Sequence, residues 1–291
     1  MDCLGVTTGE MLYFRCASEA IEWLSKQFCT DEVWCSPYEH DSVYNASDNV
    51  LSDDNINTYM LQEYSLYCHQ LVNQLTGDVF DIKTIHDKYI TQPTQFFGVD
   101  LTAAIGHIEL PNNLDTFCDA LWFSGHKFYC EKGIGGLWIS DRLREFIGDK
   151  IIHGTVDVAG VKMMAEAMLT VHNTMAITEY NYLYRQMLNI LPDMIPITSS
   201  NAIERTPYIN MLYIPNVNAE ALQQYLATKY IYVGIGNSAC GAKDDYRVLQ
   251  NMGISKEIAR NCIRISFGRN NTEDDVQDLC KEINNFREIF I

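Results

Sequence analysis

In "ALWFSGHKFYCEKGIGGLWIS", Ala120 to Ser140, the pair His126-Lys127 stands between two apolar runs of strand length. A lysine there is either a solvated turn residue or an amine kept beside buried surface and put to chemical use. Ser124 and His126 surround it with small or polar groups directly after a buried run. An ammonium near apolar surface is costly unless its pKa falls or the amine is used covalently. A lysine so placed can condense with a carbonyl to a Schiff base. Asp100, in "FGVDLTAAIG", ends another apolar run 27 residues earlier. It is either a turn or cap aspartate or a functional carboxylate. Cys240, in "GIGNSACGAKDD", follows small residues and the glycines Gly234 and Gly236, which suit a mobile exposed loop and not a core position. A thiolate in such a loop is a nucleophile. Arg264, in "IRISFGR", is either a surface arginine on an edge strand or a bidentate clamp for a carboxylate.

Those residues need elements to position them. Apolar runs of strand length, "DEVWCSP", "EYSLYCHQLV", "QFFGVDLT", "DALWFSG" and "GGLWIS", are each followed by a turn or an amphipathic stretch. That alternation predicts an α/β domain with a largely parallel sheet. From about Val156 the apolar residues recur at three- and four-residue spacing without Gly or Pro after Gly160, which predicts a long helix, continuous or broken. Beyond Pro192, short strands ("YINMLYI", "YIYVGIG") mix with helical patterns ("NAEALQQYLATKY", "TEDDVQDLCKEINNFREIF"), the last opened by Thr272 as N-cap with acids in its first turn. The expected division is a large domain over residues 1–170 and, over 171–291, the long helix with a smaller α+β domain. "SDNVLSDDNIN", Ser47 to Asn57, is expected as a polar loop.

With 291 residues and 47% hydrophobic content the chain can bury a sizeable core, in one large or two modest domains. Its opening residues show neither a basic segment nor a long apolar core, and no window reaches the ~18 uninterrupted apolar residues of a membrane span. A cytoplasmic protein is the expectation. Ten cysteines without a CxxC pair suggest reduced thiols in preference to disulfides or a zinc site, and no metal is expected. The formal net charge of −17 would repel a nucleic-acid backbone and attract basic partners.

"FSGHKFYCEKGIGGLWI" resembles the segment around the cofactor lysine of class V aminotransferases, pyridoxal phosphate (PLP) proteins of fold type I. Within that family it is most similar to the cysteine desulfurases, which hold PLP on the lysine after Ser-x-His. "YIYVGIGNSACGAKDDYRVLQNMGISKEIARNCIRISFGRNNTEDDV" resembles their C-terminal block of a Ser-Ala-Cys loop, a helix and an Ile-Arg-x-Ser-x-Gly-Arg strand. With weaker matches upstream, the similarity runs from about Met11 over nearly the whole chain.

The resemblance implies a large domain with a mostly parallel sheet and a smaller α+β C-terminal domain. It implies Lys127 as the residue bonded to PLP and Asp100 as the carboxylate facing the pyridine nitrogen, keeping the ring protonated and able to accept electrons from the substrate's α-carbon. Ala17 and Ser18 match the family's Ala-Thr at a helix start, and Ser124 and His126 its second phosphate contact; helix N-termini favour anions. Ser18 also fits an ordinary N-cap. Thr155, in "HGTVDVAG", matches a threonine reaching the phosphate from the other subunit, which implies a homodimer. His40, in "SPYEHDSV", matches the histidine over the cofactor ring, Arg264 the clamp on the substrate's carboxylate, and Cys240 the thiol that accepts sulfur. The implied reaction is a sulfur transfer: L-cysteine becomes L-alanine, and persulfide on Cys240 passes to an acceptor protein, such as an iron–sulfur cluster scaffold or a thiolation factor.

The chain departs from the pattern at several positions. Ala103 stands where the family has a glutamine bonding the cofactor's phenolic oxygen. In "VNQLTG", Gln74 takes the place of a cofactor-shell asparagine and Leu75 that of a glutamate. Each neutral hydrogen bond lost costs about 1 kcal/mol. The family's N-terminal segment, with substrate-lining residues, lies ahead of the first matched block, so one wall of the site is expected to be missing or replaced. Two other readings stand beside desulfuration. One is another PLP reaction, selenocysteine lysis or aminotransfer, which dispenses with Cys240. The other is a non-catalytic binding partner, favoured by Ala103 and opposed by Lys127, Asp100, His40, Cys240 and Arg264.

Overall fold

Short apolar runs covered on both sides form the frame of this chain, seen in a computed structural model that describes residues 2–51, 61–148, 154–174, 177–236 and 246–290. Two units divide it: Met1–Val72 with Phe80–Met175, and Asn73–Val79 with Ala176–Ile291.

The first unit contains, in chain order, β1 (Glu10–Phe14), α1 (Ala17–Ser25), β2 (Val33–Cys35), α2 (Asp41–Ala46), β3 (Asn49–Val50) and β4 (Leu66–Gln70). After β5 (Asp78–Val79), which belongs to the second unit, follow α3 (Ile82–Tyr89), β6 (Phe96–Asp100), β7 (Ala120–Ser124), a 3-10 turn (Gly125–Phe128), β8 (Gly135–Ile139), α4 (Asp141–Ile147) and α5 (Val158–Asn173). The sheet runs β1-β8-β7-β6-β4-β2-β3. Pairs from β3 through β7 are parallel, and β8 is antiparallel to both neighbours. Every residue of β4, β6, β7 and β8 is buried, the mark of a sheet covered on both faces. Ile21 and Leu24 of α1 pack with Leu143 of α4 on Trp122, Leu66 and Leu137 of the sheet. The strand β1 has no counterpart in the sequence reading, and β3 lies inside the stretch expected to be a polar loop.

In the second unit, α6 (Ile177–Ile190) precedes β9 (Ile195–Pro196), β10 (Glu204–Arg205), β11 (Ile209–Tyr213), α7 (Ala219–Ala227), β12 (Gly234–Ile235), α8 (Arg247–Asn251), α9 (Lys256–Ala259), β13 (Cys262–Ser266) and α10 (Glu273–Phe290). The antiparallel sheet β12-β13-β11-β9 packs Met211 and Cys262 against Leu249 and Leu75. The helical run from Val156 is two helices, α5 and α6. Of "YIYVGIG" only Gly234–Ile235 is strand, and Tyr230 and Tyr232 are exposed. Thr272 does cap α10: its hydroxyl accepts the Asp275 N–H at 3.4 Å, and Asp275 Oδ2 accepts the Thr272 N–H at 2.8 Å, a reciprocal capping box.

Residues 73–79 join this unit through Asp78. Its buried carboxylate accepts the hydroxyls of Thr76 (2.7 Å) and Thr198 (2.5 Å) and the Ser199 N–H (2.7 Å), with Arg205 Nε at 3.7 Å. Gly77 holds φ +75, and a Cβ there would meet the Ile209 carbonyl oxygen at 2.1 Å, so no other residue fits without a shift. No helix among the described residues is long and apolar enough to cross a membrane.

Candidate active site

Parallel strands in an open α/β sheet leave a crevice beyond their carboxyl ends, where ligands bind. Here Gln70 of β4 is in register with Asp100 of β6, and Asp100 with Trp122 of β7, two residues before Ser124. The strand ends therefore bring Asp100 and Ser124 to one edge of the sheet, and the 3-10 turn after β7 carries His126 and Lys127, both exposed, above it.

Ser124 Oγ, buried, accepts the N–H of Ala17 at 2.8 Å. This bond ties the end of β7 to the first turn of α1. Gly135 of β8 permits the approach: a Cβ there would lie 2.7 Å from the Phe123 carbonyl oxygen and 2.9 Å from the Cys16 backbone. The N-cap of α1 is Cys16, in extended backbone and without a side-chain cap bond, so Ser18, exposed within the first turn, is not the cap. The one acid of that turn, Glu19, is paired with Arg15 at 2.8 Å, and its carboxyl is held below its usual range by that guanidinium. A helix start with little uncompensated negative charge suits an anion.

Asp100 is buried, and burial raises its carboxyl pKa above the ordinary value. The Thr102 hydroxyl and N–H, the latter at 2.7 Å from Oδ1, and the nearby His40 favour the charged form and offset part of that penalty. His40 caps α2: its Nδ1 accepts the Ser42 N–H at 3.1 Å, so the neutral ring carries its proton on Nε2. The residue before it, Glu39, is fully buried and accepts the Gln70 N–H at 2.6 Å, which ties the His40 loop to the end of β4.

His107 carries no signal in the sequence pattern. Its Nδ1 donates to the Ala103 carbonyl at 3.0 Å, and burial, with a smaller contribution from Lys127, lowers its pKa. Burial, Lys127 and Lys132 lower that of His126. The thiol of Cys68 is pushed well above its usual range by burial, with smaller contributions from the charges of Cys35, Glu39 and Asp100, which makes it inert.

The second unit holds Arg264 and Gln74 together: Arg264 Nη1 donates to the Gln74 carbonyl at 3.1 Å. Gln74 Oε1 is buried and has no hydrogen-bond partner among the described residues. Leu75, where the pattern has a glutamate, is core. Thr155 is exposed just ahead of α5. Cys240 lies outside the described residues.

The model of the family described as aminotransferase class-V matches residues 38–279. The chain belongs to that family. Among curated members, it is 29% identical over 230 residues to the cysteine desulfurase IscS of Buchnera aphidicola subsp. Schizaphis graminum, covering 73% of this chain and 55% of that protein. It is 30% identical over 264 residues to the cysteine desulfurase IscS of Edwardsiella ictaluri, covering 84% of this chain and 62% of that one. This class-V chain thus spans little more than half the length of those relatives. A solved NifS-like protein, 22% identical, superposes with a TM-score of 0.84 over 99% of this chain and 85% of its own, which shows the fold.

Class-V membership implies PLP, and the first unit's residues fit it. The start of α1, tied to Ser124 and with Glu19 paired to Arg15, suits the phosphate, the buried Asp100 suits a protonated ring nitrogen, and Lys127 supplies the amine.

Proposed function

We propose that this chain is a PLP-dependent cysteine desulfurase that takes sulfur from L-cysteine and leaves L-alanine. The observation that carries the reading is the convergence of Asp100, Ser124 and Lys127 at the carboxyl ends of β6 and β7, with His40 in electrostatic reach of Asp100. Bound PLP would supply an electron sink for the substrate's α-carbon. Ala17, Ser18, Ser124 and His126 would hold its phosphate, and Asp100 would pair with its ring nitrogen. Lys127 Nζ would hold the cofactor and, once released by the substrate's amine, take the α-proton. His40, with its proton on Nε2, can give one up at the ring face and take it back. Arg264 would bind the substrate's carboxylate as a fork. The Cys240 thiolate would attack the substrate's sulfur; the carbon–sulfur bond would break with its electron pair left to the β-carbon, which would take up the proton given up by the thiol, the α-carbon would regain its proton from Lys127 to give alanine, and Cys240 would keep the sulfur as persulfide. An acceptor protein would then remove it.

A homodimer belongs to this reading. In α5 only Lys162 and Glu166 carry fixed charge, while Val158 is 74%, Leu169 53% and Met163 43% exposed. A second copy covering that face would stand next to Thr155, the residue expected to reach the neighbouring phosphate. Sedimentation equilibrium tests it: a monomer with full cofactor occupancy and activity would contradict the dimer. The reaction itself is tested by incubating the PLP-loaded protein with L-cysteine and measuring alanine, with alanine formation expected and its absence decisive against.

A further inference from the structure

A groove of about 860 Å³ crosses the second unit between the turn after α7, the end of β13 and helix α10. Its floor is apolar, with Phe267 buried at the base. Tyr230 and Tyr232 stand on one wall, 85% and 78% exposed, and Asp275, Asp278 and Glu282 of α10 line the other. Two tyrosines left this open are an unusual use of large aromatic surface in a folded chain, and tyrosine is a residue that interfaces enrich.

The groove margin already binds one cation. Lys229 Nζ sits 5.5 Å over the ring of Tyr225, whose hydroxyl donates to Glu282 Oε2 at 2.8 Å. An ammonium on an aromatic face, with a carboxylate holding that ring, is a cation–π site in a negative field. Tyr230 and Tyr232 line the same groove as Asp275 and Asp278, so aromatic faces and carboxylates are both open to a cation from outside.

We infer that this groove docks a basic segment of a partner protein, its lysine or arginine side chains seated on Tyr230 and Tyr232 and facing the acids of α10. Nucleic acid is repelled by the same carboxylates, and the groove's acids, Asp275, Asp278 and Glu282, select for a basic occupant. The acids would speed encounter and fix orientation, while the tyrosines and the apolar floor would hold the segment. The inference stands whether or not the chain desulfurates cysteine.

Fluorescein-labelled hexa-arginine, titrated into the full chain at about 50 mM salt and followed by anisotropy, tests it. Binding is expected, and the Tyr230→Ala/Tyr232→Ala variant should bind about tenfold more weakly although its net charge is unchanged. Asp278→Lys, at an exposed helix position, should weaken binding to a similar degree, and Glu22→Gln, on α1 of the other unit, should not. The positions changed are exposed, and unchanged thermal midpoints would show that the variants fold. No binding, binding by the double tyrosine variant equal to that of the wild type, or an equal loss in Glu22→Gln would each overturn the proposal, the last two by reducing the attraction to net charge.

Discussion

The hydroxyl of Ser124 accepts the backbone N–H of Ala17 at 2.8 Å across 107 residues of sequence. The bond fastens the first turn of α1 to the end of β7, so the start of a helix and the turn bearing Lys127 are held as one piece. Ser124→Ala leaves a buried amide bare and should cost about 1–3 kcal/mol of unfolding free energy in urea, together with weaker PLP retention on dialysis. A variant as stable and as well loaded as the wild type would remove Ser124 from the account.

The same seam depends on the absence of a side chain at Gly135. Gly135→Ala places a Cβ 2.9 Å from the Cys16 backbone, where only main chain could move aside. A loss of about 1–3 kcal/mol is expected, with β8 and the start of α1 losing hydrogen-exchange protection together.

Asp100 gives a pH signature. Its folded pKa is raised by burial, so between the ordinary value of 3.8 and the folded value the native state binds more protons than the unfolded one. Stability of the cofactor-free protein from this group therefore falls as pH rises through that window. Asp100→Asn should remove that fall and unfold at a higher temperature at neutral pH, while losing most of its PLP. A variant both unchanged in stability and able to hold PLP would contradict the assigned role.

In the second unit, Asp78 satisfies Thr76, Thr198 and Ser199 and faces Arg205. Asp78→Ala should destabilise by about 3 kcal/mol, since the buried partners and the guanidinium lose their shared acceptor. Chemical denaturation checks it.

Much of this was legible in the residues. The alternation of strand-length apolar runs announced the α/β sheet, because strands buried on both faces have no polar side to disguise them. That Asp100, Ser124 and Lys127 lie at or just after strand ends was readable because each follows such a run, whereas their proposed roles rest on the resemblance. β1 escaped notice because it is a half-exposed edge strand, with a burial pattern too mixed to stand out. Tyr230 to Val233 read as strand because β propensity reports aromatic and branched side chains, whereas pairing there extends only to Gly234 and Ile235. Ser18 looked like a cap by residue type, yet register put the cap at Cys16. His107 and Glu39 depend on contacts between distant loops, which spacing does not encode.

The central claim is that sulfur leaves cysteine for the thiol of Cys240, and mass spectrometry of the PLP-loaded protein after exposure to L-cysteine tests it most directly. The account predicts alanine in solution and one added sulfur on the peptide containing Cys240, with both lost in Cys240→Ala while cysteine still perturbs that variant's cofactor absorbance. Alanine formed by Cys240→Ala at the wild-type rate, or the added sulfur on a different cysteine, would contradict it.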